Sequence, residues 1–263
     1  MREMFYATVL RNEPLAEDVY DLHLTAPKAV TQAKAGQFLS IYTGNASMLL
    51  PRPLSICEAN EPRGFFRVVY RVVGEGTREI AAFKTGDKVR MLGPLGSSYH
   101  IEDGHKCFAL CGGGMGAPPM LALAKKIRKE VEGAQVSVFL GFRSKQQAIL
   151  EEDFKNYADN VFVATDDGTQ GIKGNIIDSL KSCEGDFDAI FGCGPQVMLK
   201  HLAKYATERN IPCHVSIEEH MACSVGACLA CVCKVVTDDE TGWTYKRVCN
   251  VGPVFNAKEL VWE

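Results

Sequence analysis

Residues 104–217 repeat one pattern, in which a short apolar run leads through a turn into a helix-like segment. The pattern predicts strands at residues 107–110, 136–140, 161–164, 189–191 and 214–217. It predicts helices at residues 117–131, 145–157, 175–181 and 195–209. Because each helix carries the chain back across the sheet, the strands must run parallel to one another. We therefore expect a five-stranded parallel α/β domain over residues 101–216.

Residues 1–100 follow a different pattern, with short segments rich in Val, Ile, Tyr and Phe that are separated by Gly and Pro. Strands are predicted at residues 5–10, 19–25, 38–42, 65–73 and 88–92, and a single helix at residues 79–83. Short strands with frequent turns are typical of antiparallel barrels and sandwiches. We expect an N-terminal antiparallel β-barrel domain here.

Residues 217–263 carry four cysteines in the pattern C-x4-C-x2-C-x17-C, namely Cys223, Cys228, Cys231 and Cys249. This spacing suits the two irons of a [2Fe-2S] cluster, which transfers single electrons. Ser224, Gly226 and Ala227 are small, so the backbone between the first two cysteines can curl and direct N–H groups at sulfur. We expect a small C-terminal cluster domain that needs its metal in order to fold.

Two alternatives for these cysteines remain open on the residues alone. Thiolates also bind structural zinc, and Cys233 is a fifth candidate ligand, although zinc sites usually show two closely spaced cysteine pairs. The thiols could also carry no metal at all. The other six cysteines are isolated in apolar or loop segments, which is typical of buried thiols in a reducing compartment.

Composition excludes several classes of function. The chain has 263 residues and a formal net charge of −3, with no long run of either sign, so nothing indicates nucleic-acid binding. No apolar stretch approaches the roughly 20 residues that span a bilayer, and the first residues do not resemble a signal peptide. We expect a cytoplasmic protein with no membrane or nucleic-acid partner.

Two glycine-rich turns indicate a nucleotide site in the α/β domain. Gly112, Gly113, Gly114 and Gly116 follow the first strand, where backbone N–H groups can hold a pyrophosphate. Gly192, Cys193, Gly194 and Pro195 follow the fourth strand, at the same edge of the sheet. Pro118 occupies the third glycine position of the usual dinucleotide motif, so the first turn alone is weak evidence. Cys193 is the candidate catalytic residue, since it follows the strand where a nicotinamide ring would approach.

The barrel segment contains the parts of a flavin dinucleotide site, although each part alone could be an ordinary turn. Arginines can bind phosphate, hydroxyl groups can donate hydrogen bonds, and glycines allow close approach. The candidate FAD-binding residues are Arg52, Pro53, Leu54, Ser55, Val69, Tyr70, Arg71, Gly76 and Thr77. Tyr70 is expected to contribute an aromatic face.

Together these motifs resemble the ferredoxin–NAD(P)H reductase superfamily, and within it the electron-transfer subunits of NAD-dependent (class 1B) dihydroorotate dehydrogenases. The resemblance covers essentially the whole chain. It is most specific at residues 52–55, 165–168, 192–195, 221–233, 247–249 and 252–255. Ser224 departs from the family pattern, which usually has glycine there. The resemblance implies that the barrel residues hold FAD, that the two glycine turns bracket the nicotinamide nucleotide, and that the four cysteines hold the cluster.

The resemblance also implies a function. Electrons would pass between NAD(H), FAD, the [2Fe-2S] cluster and the FMN of a separate dihydroorotate dehydrogenase catalytic subunit, in a heterotetramer that serves pyrimidine biosynthesis. FAD is needed because NADH gives two electrons at once and the cluster takes one. Residues 252–263, with Phe255 and Trp262, are a candidate docking surface for that subunit, although apolar packing beneath the cluster loop would explain them equally well.

Three other functions use the same parts. The chain could be the flavin subunit of an NAD(P)H:ferredoxin oxidoreductase or of a sulfur or sulfite reductase. A non-enzymatic alternative is a nucleotide-binding regulator stapled by zinc. NAD is favoured over NADP, but Arg143 follows the second strand, where a cation could meet a 2′-phosphate.

Overall fold

The computed structural model describes residues 3–183 and 185–262, so the outermost residues of the predicted first and third domains lie outside it. Two seven-stranded sheets and one two-stranded hairpin make up the β structure of these residues. Within the same ranges, none of the helices has the length and apolar character needed to cross a bilayer.

The first sheet is antiparallel and curls into a half-barrel, as the sequence predicts. Its elements are β1 (Glu3–Ala16), β2 (Val19–Thr25), α1 (Pro27–Val30), β3 (Phe38–Ile41), β4 (Arg52–Ser55), β5 (Glu58–Asn60), β6 (Phe65–Arg71), α2 (Glu75–Ala81) and β7 (Lys88–Leu95). The order of the strands in the sheet is β4-β3-β7-β1-β2-β6-β5. The sequence patterns miss β4 and β5 and place the helix about four residues too late.

Strand β6 is buried on both faces because it lies between the barrel and the second domain. Phe66 and Val68 face the barrel core, whereas Val69 packs in a cluster with residues of the α/β domain. This two-sided burial explains why β6 is a nearly continuous apolar run rather than an alternating one.

The rest of the chain forms the α/β domain and the cysteine segment. The α/β elements are β8 (Cys107–Gly113), α3 (Ala117–Glu130), β9 (Gln135–Phe142), α4 (Glu151–Lys155), β10 (Asn160–Thr165), β11 (Ile172–Lys173), α5 (Ile176–Ser182), β12 (Ala189–Cys193), α6 (Gln196–Glu208) and β13 (Cys213–Ser216). The cysteine segment adds β14 (Val232–Val236), β15 (Trp243–Arg247), α7 (Val248–Val251) and β16 (Val254–Asn256).

The second sheet has the order β11-β10-β9-β8-β12-β13-β16. The five predicted strands are present and parallel, with both glycine turns at their carboxyl ends. Two edge strands are additional. Short β11 runs parallel to β10, and β16 returns from the cysteine segment to pair antiparallel with β13.

The helix predicted over residues 145–157 is wrong as a single element. A 3-10 turn at Lys145–Gln147 is separated from α4 by Leu150, which has a left-handed backbone with φ 65°. The first turn ends because Ala148 adopts an extended backbone with ψ 126°, and α4 starts anew at Leu150, whose carbonyl accepts a hydrogen bond from Phe154 N at 3.0 Å. The helix near residue 175 is confirmed, since the Asn175 side chain caps α5 by accepting hydrogen bonds from Ile177 N and Asp178 N.

Partly buried ion pairs join the half-barrel to the α/β domain. Arg67 of β6 donates through Nε to Asp21 at 3.0 Å and also pairs with Asp153 of α4. Lys125 of α3 pairs with Glu58 of β5 at 2.5 Å. These pairs fix α3 and α4 against the outer face of the barrel.

Candidate functional site

A cleft of about 450 Å³ lies at the carboxyl ends of the parallel strands, where the α/β domain faces the barrel. Both glycine turns line it, through Gly113 and Gly114 on one side and Gly194 and Pro195 on the other. Arg71, the last residue of β6, reaches the same cleft from the barrel. The structure therefore brings residues predicted for the flavin and nicotinamide sites together.

The glycines divide into two groups. Gly113, Gly114 and Gly194 line the cleft. Gly194 has φ 153°, and a Cβ there would stand 3.1 Å from the Gly113 Cα, so the two turns can touch only as glycines. The remaining predicted glycines lie inside the packing rather than on the cleft wall: Gly112, Gly116 and Gly192.

Four charged side chains line the cleft, two basic and two acidic. Arg71 reaches the cleft from the barrel, and Glu218, just beyond β13, lines it near the Gly194 turn. Arg143 and Asp166 stand at the ends of β9 and β10, where Asp166 N donates to Phe142 O at 3.1 Å. Surrounding protein raises the pKa of the Glu218 carboxyl, although solvent still reaches the side chain.

Cys193 lies beneath the cleft rather than on its wall. Its side chain is only 2% exposed, and burial raises the pKa of the thiol to about 12. The next residue, Gly194, does line the cleft. Cys193 therefore cannot touch a bound nucleotide unless the turn moves. Any effect that it has in this conformation must pass through the neighbouring Gly194.

In the barrel, Arg52 and the start of α2 meet. The Arg52 guanidinium donates through Nη1 to Leu50 O at 2.5 Å and approaches Gly76 so closely that a Cβ there would overlap it. Thr77 is engaged locally, because its hydroxyl donates to Gly74 O and accepts from Val73 N. Thr77 thus fixes the turn that holds Gly76 in place. The neighbouring Pro53, Leu54 and Ser55 lie half-buried on β4.

The prediction that the Tyr70 ring offers an aromatic face to a flavin is wrong. Its ring is 2% exposed in the barrel core, stacks on Tyr20 and donates its hydroxyl to Asn12 Oδ1 at 3.2 Å. Successive residues of a strand point to opposite faces, so Val69 and Arg71 face the α/β domain while Tyr70 faces inward. Tyr70 can contribute only backbone groups to a flavin site.

The four predicted cysteines form two pairs. The sulfurs of Cys223 and Cys228 are 3.3 Å apart, and Cys249 N donates to the Cys231 sulfur at 3.4 Å. Within residues 3–183 and 185–262, no three Cys, His, Asp or Glu side chains converge as the ligands of one metal ion. Two thiolate pairs suit a cluster of two irons better than one tetrahedral ion.

The loop between the first two cysteines directs N–H groups at sulfur, as expected. Ala227 N and Cys228 N donate to the Cys223 sulfur at 3.3 Å and 3.4 Å. Burial alone would raise the pKa of Cys223, but hydrogen bonds from Cys228, Val225 and Ala227 lower it to about 6. A thiol that ionises this easily is ready to bind metal.

Cys233 lies on β14, two residues beyond Cys231. It lines a cavity of about 370 Å³ between β14 and the start of α6, together with Glu219 and Trp262, and this cavity shares Gly194, Pro195 and Glu218 with the nucleotide cleft. Burial raises the pKa of the Cys233 thiol to about 11.

The fold and these sites define a ferredoxin reductase-like oxidoreductase that combines FAD, NAD and an iron–sulfur cluster. Three family models match: an oxidoreductase FAD-binding domain at residues 7–100, an oxidoreductase NAD-binding domain at 110–204, and the iron–sulfur cluster binding domain of dihydroorotate dehydrogenase B at 218–261. The four cysteines thus belong to a cluster domain and not to a zinc site. The chain belongs to the family of electron transfer subunits of dihydroorotate dehydrogenase B (NAD(+)).

Relatives with that name cover nearly the whole chain. The subunit from Bacillus caldolyticus is 40% identical over 258 residues, with 97% of each chain covered. The subunit from Geobacillus kaustophilus is 39% identical, with the same coverage. Among solved structures, the NADH-dependent reduced ferredoxin–NADP oxidoreductase matches with a TM-score of 0.86 and 30% identity, over 97% of this chain and 90% of that one. Phthalate dioxygenase reductase, at 18% identity over 94% of each chain, shares the fold with a TM-score of 0.63.

The sequence patterns did not single out Glu218, and they assigned no role to Asp166. Asp166 directly follows β10, and Glu218 lies two residues beyond β13. Both therefore stand at the edge where ligands bind in parallel sheets. A search for polar residues at strand ends, rather than for glycine motifs alone, would have found them.

Proposed function

We propose that this chain passes electrons between NAD(H) and the FMN of a dihydroorotate dehydrogenase catalytic subunit, by way of FAD and one [2Fe-2S] cluster. The observation that supports the proposal is that one chain matches FAD-binding, NAD-binding and iron–sulfur cluster binding domains, and that Arg71, which was predicted for the flavin site, lines the cleft between the two glycine turns. Bound FAD supplies the conversion between two-electron and one-electron transfer. The names of the relatives support dihydroorotate as the partner's substrate.

In this proposal the half-barrel holds FAD. Arg52 would bind the pyrophosphate beside Gly76, with Thr77 holding the turn, and the Pro53–Ser55 strand would lie along the flavin. Val69, Tyr70 and Arg71 would contribute backbone groups and one cation. Among the described residues no carboxylate pairs with Arg52, so its charge is available to a phosphate.

The cleft between the glycine turns would hold the nicotinamide nucleotide. Gly113, Gly114, Gly194 and Pro195 would admit the pyrophosphate, and the nicotinamide end would lie near Arg71 and Glu218, closest to the flavin. Gly112, Gly116 and Gly192 would support these turns from within. Cys193 would act on hydride transfer from beneath Gly194.

The cysteine pairs would each hold one iron, with Cys223 and Cys228 on one and Cys231 and Cys249 on the other. We propose domain limits of 1–100, 101–216 and 217–263 for the three units. The structure adds that the third unit shares a strand with the second.

A catalytic subunit would dock beside the cluster loop, in a heterotetramer. Leu229, between two ligand cysteines, is 72% exposed, and Val251, just after Cys249, is 45% exposed. The prediction that Phe255 belongs to a docking surface is wrong, because its side chain is buried in the core and only 5% exposed. Trp262 is half-buried and donates its Nε1 to Ala257 O at 2.9 Å. Glu263 lies outside the described residues.

Reconstitution with the catalytic subunit tests this function. The chain alone should oxidise NADH with an artificial acceptor and show no dihydroorotate–orotate turnover, and the FMN-bearing partner should restore NAD-linked turnover. Cys249→Ser should retain NADH-to-FAD reduction and lose transfer to FMN. Orotate turnover by the chain alone would contradict the division of labour.

The same assay with ferredoxin in place of the catalytic subunit tests the second candidate, which the ferredoxin–NADP oxidoreductase structure favours. Rapid ferredoxin reduction without any gain from the dihydroorotate dehydrogenase subunit would support that candidate instead.

A further inference from the structure

Ser224 combines two unfavourable features in the loop between Cys223 and Cys228. Its backbone is left-handed, with φ 59°, although it carries a Cβ. Its side chain is 1% exposed, and its hydroxyl has no hydrogen-bond partner among the residues that the structure describes. Left-handed backbone is unfavourable for residues other than glycine, and a buried hydroxyl without a partner adds a second penalty.

The surrounding loop is built to present hydrogen-bond donors to sulfur. Gly226, with φ 82°, and Ser224 are the two left-handed residues that curl it. The N–H groups of Val225, Ala227 and Cys228 converge on the Cys223 sulfur as a result. The Ser224 hydroxyl is a further donor in the same loop and is the one whose acceptor the described residues do not supply.

Sulfur is the acceptor that cluster assembly brings to this loop. We propose that Ser224 Oγ–H donates a hydrogen bond to a sulfur of the bound cluster and thereby raises the cluster's reduction potential. Reduction adds a negative charge to the cluster, so a donor to its sulfur stabilises the reduced form more than the oxidised form. This inference rests on the proposed ligand set, since it needs the cluster to lie against the Cys223–Cys228 loop.

Two substitutions separate the hydroxyl from the backbone. Ser224→Ala removes the hydroxyl and keeps the Cβ in the left-handed conformation, whereas Ser224→Gly removes both. If the hydrogen bond exists, both variants should shift the ratio of reduced to oxidised cluster about tenfold towards oxidised at a fixed potential. For a one-electron couple this equals a fall of about 59 mV in midpoint potential. Glycine suits the left-handed backbone, so Ser224→Gly should assemble even if the alanine variant assembles poorly. Its exchangeable-proton couplings then test the hydrogen bond, because its potential alone would not separate the hydroxyl from the backbone.

The experiment is a redox titration of the purified protein followed by electron paramagnetic resonance of the reduced cluster. Thr237→Ala is the matched control, since it removes a hydroxyl at the far end of β14 from Cys231 and should leave the potential unchanged. Electron–nuclear double resonance in H₂O and D₂O should show one fewer exchangeable proton coupled to the cluster in both Ser224 variants than in the wild type.

The two levels of the proposal fail differently. Wild-type protein with no acid-labile sulfide would overturn the ligand set and the hydrogen bond together. An intact cluster with wild-type potential and wild-type proton couplings in Ser224→Ala would overturn only the hydrogen bond. A potential that changes in Ser224→Gly but not in Ser224→Ala would overturn it too, because it would assign the effect to the backbone.

Discussion

Replacing Arg52 by Ala should weaken FAD binding without unfolding the barrel. The guanidinium is half-buried, lies against Gly76 and has only neutral partners among the described residues, the carbonyl of Leu50 and the sulfur of Met48. Its positive charge is therefore free to meet a pyrophosphate. Loss of one hydrogen bond to a charged group costs about 1.5–3 kcal/mol. This corresponds to roughly a 10- to 150-fold higher dissociation constant.

The assay is fluorescence titration of flavin-free protein with FAD, alongside flavin retention during purification. Arg52→Lys should fall between wild type and Arg52→Ala, since lysine keeps the charge and loses the planar fork. Arg63→Ala is a matched control, because Arg63 is an exposed arginine of the same barrel. A dissociation constant for Arg52→Ala within about twofold of wild type would refute the placement of the pyrophosphate, because that is well below the change expected for one charged hydrogen bond.

Three further predictions concern the ion pairs and the cleft. Burial opposes ionisation of Asp21, but hydrogen bonds from His23 and Arg67 lower its pKa from 3.8 to about 2. The ionised group should thus stabilise the fold by about 2 kcal/mol near neutral pH, and this should be lost as pH falls from about 4 to 2. Urea unfolding of wild type and Asp21→Asn should show a stability difference that shrinks over that pH range, and a difference independent of pH would contradict it. Asp166→Ser should lower the preference for NADH over NADPH, measured as the ratio of kcat/KM values, by at least about tenfold, because the Asp166 carboxylate would repel a 2′-phosphate. Asp167→Asn is its control, since Asp167 is occupied by Thr169; equal effects of the two substitutions would argue against a specific role for Asp166. Cys193→Ala should slow flavin reduction by NADH in stopped-flow experiments while both prosthetic groups stay bound, and a wild-type rate would leave the thiol only a packing role.

The α/β domain was predictable because its signals are local. Each parallel strand is a buried apolar run, and the helices of residues 117–130 and 196–208 begin where glycine or proline ends a strand. The failures are elements whose stability comes from distant partners. Strand β4 contains Pro53 and only half-buried residues, and its pairing with β3 holds it in place. The three residues of β16 become a strand because β13 offers an open edge.

The candidate sites divide in the same way. The cysteine spacing predicted an iron–sulfur cluster domain, since spacing is a property of the chain itself. The exposure of a side chain is not a property of the chain alone. The Tyr70 ring points into the barrel because the opposite face of β6 meets the second domain. Glu218 carries no motif, and its position in the cleft follows from the sheet order that brings β13 beside β12.

The pairing of β16 with β13 determines how the cluster can exchange electrons. Three residue pairs, from His214–Asn256 to Ser216–Val254, join the cysteine segment to the strand that ends beside Glu218. Ser97, just after the last barrel strand, ties the same segment to the first domain by donating to Gly252 O at 2.5 Å and to Val254 O at 3.1 Å. A cluster held this way cannot swing out on a tether as a mobile carrier would. The sheet therefore sets the distance between the nucleotide cleft and the cysteine segment, and the proposed catalytic subunit would have to bring its FMN to the cluster.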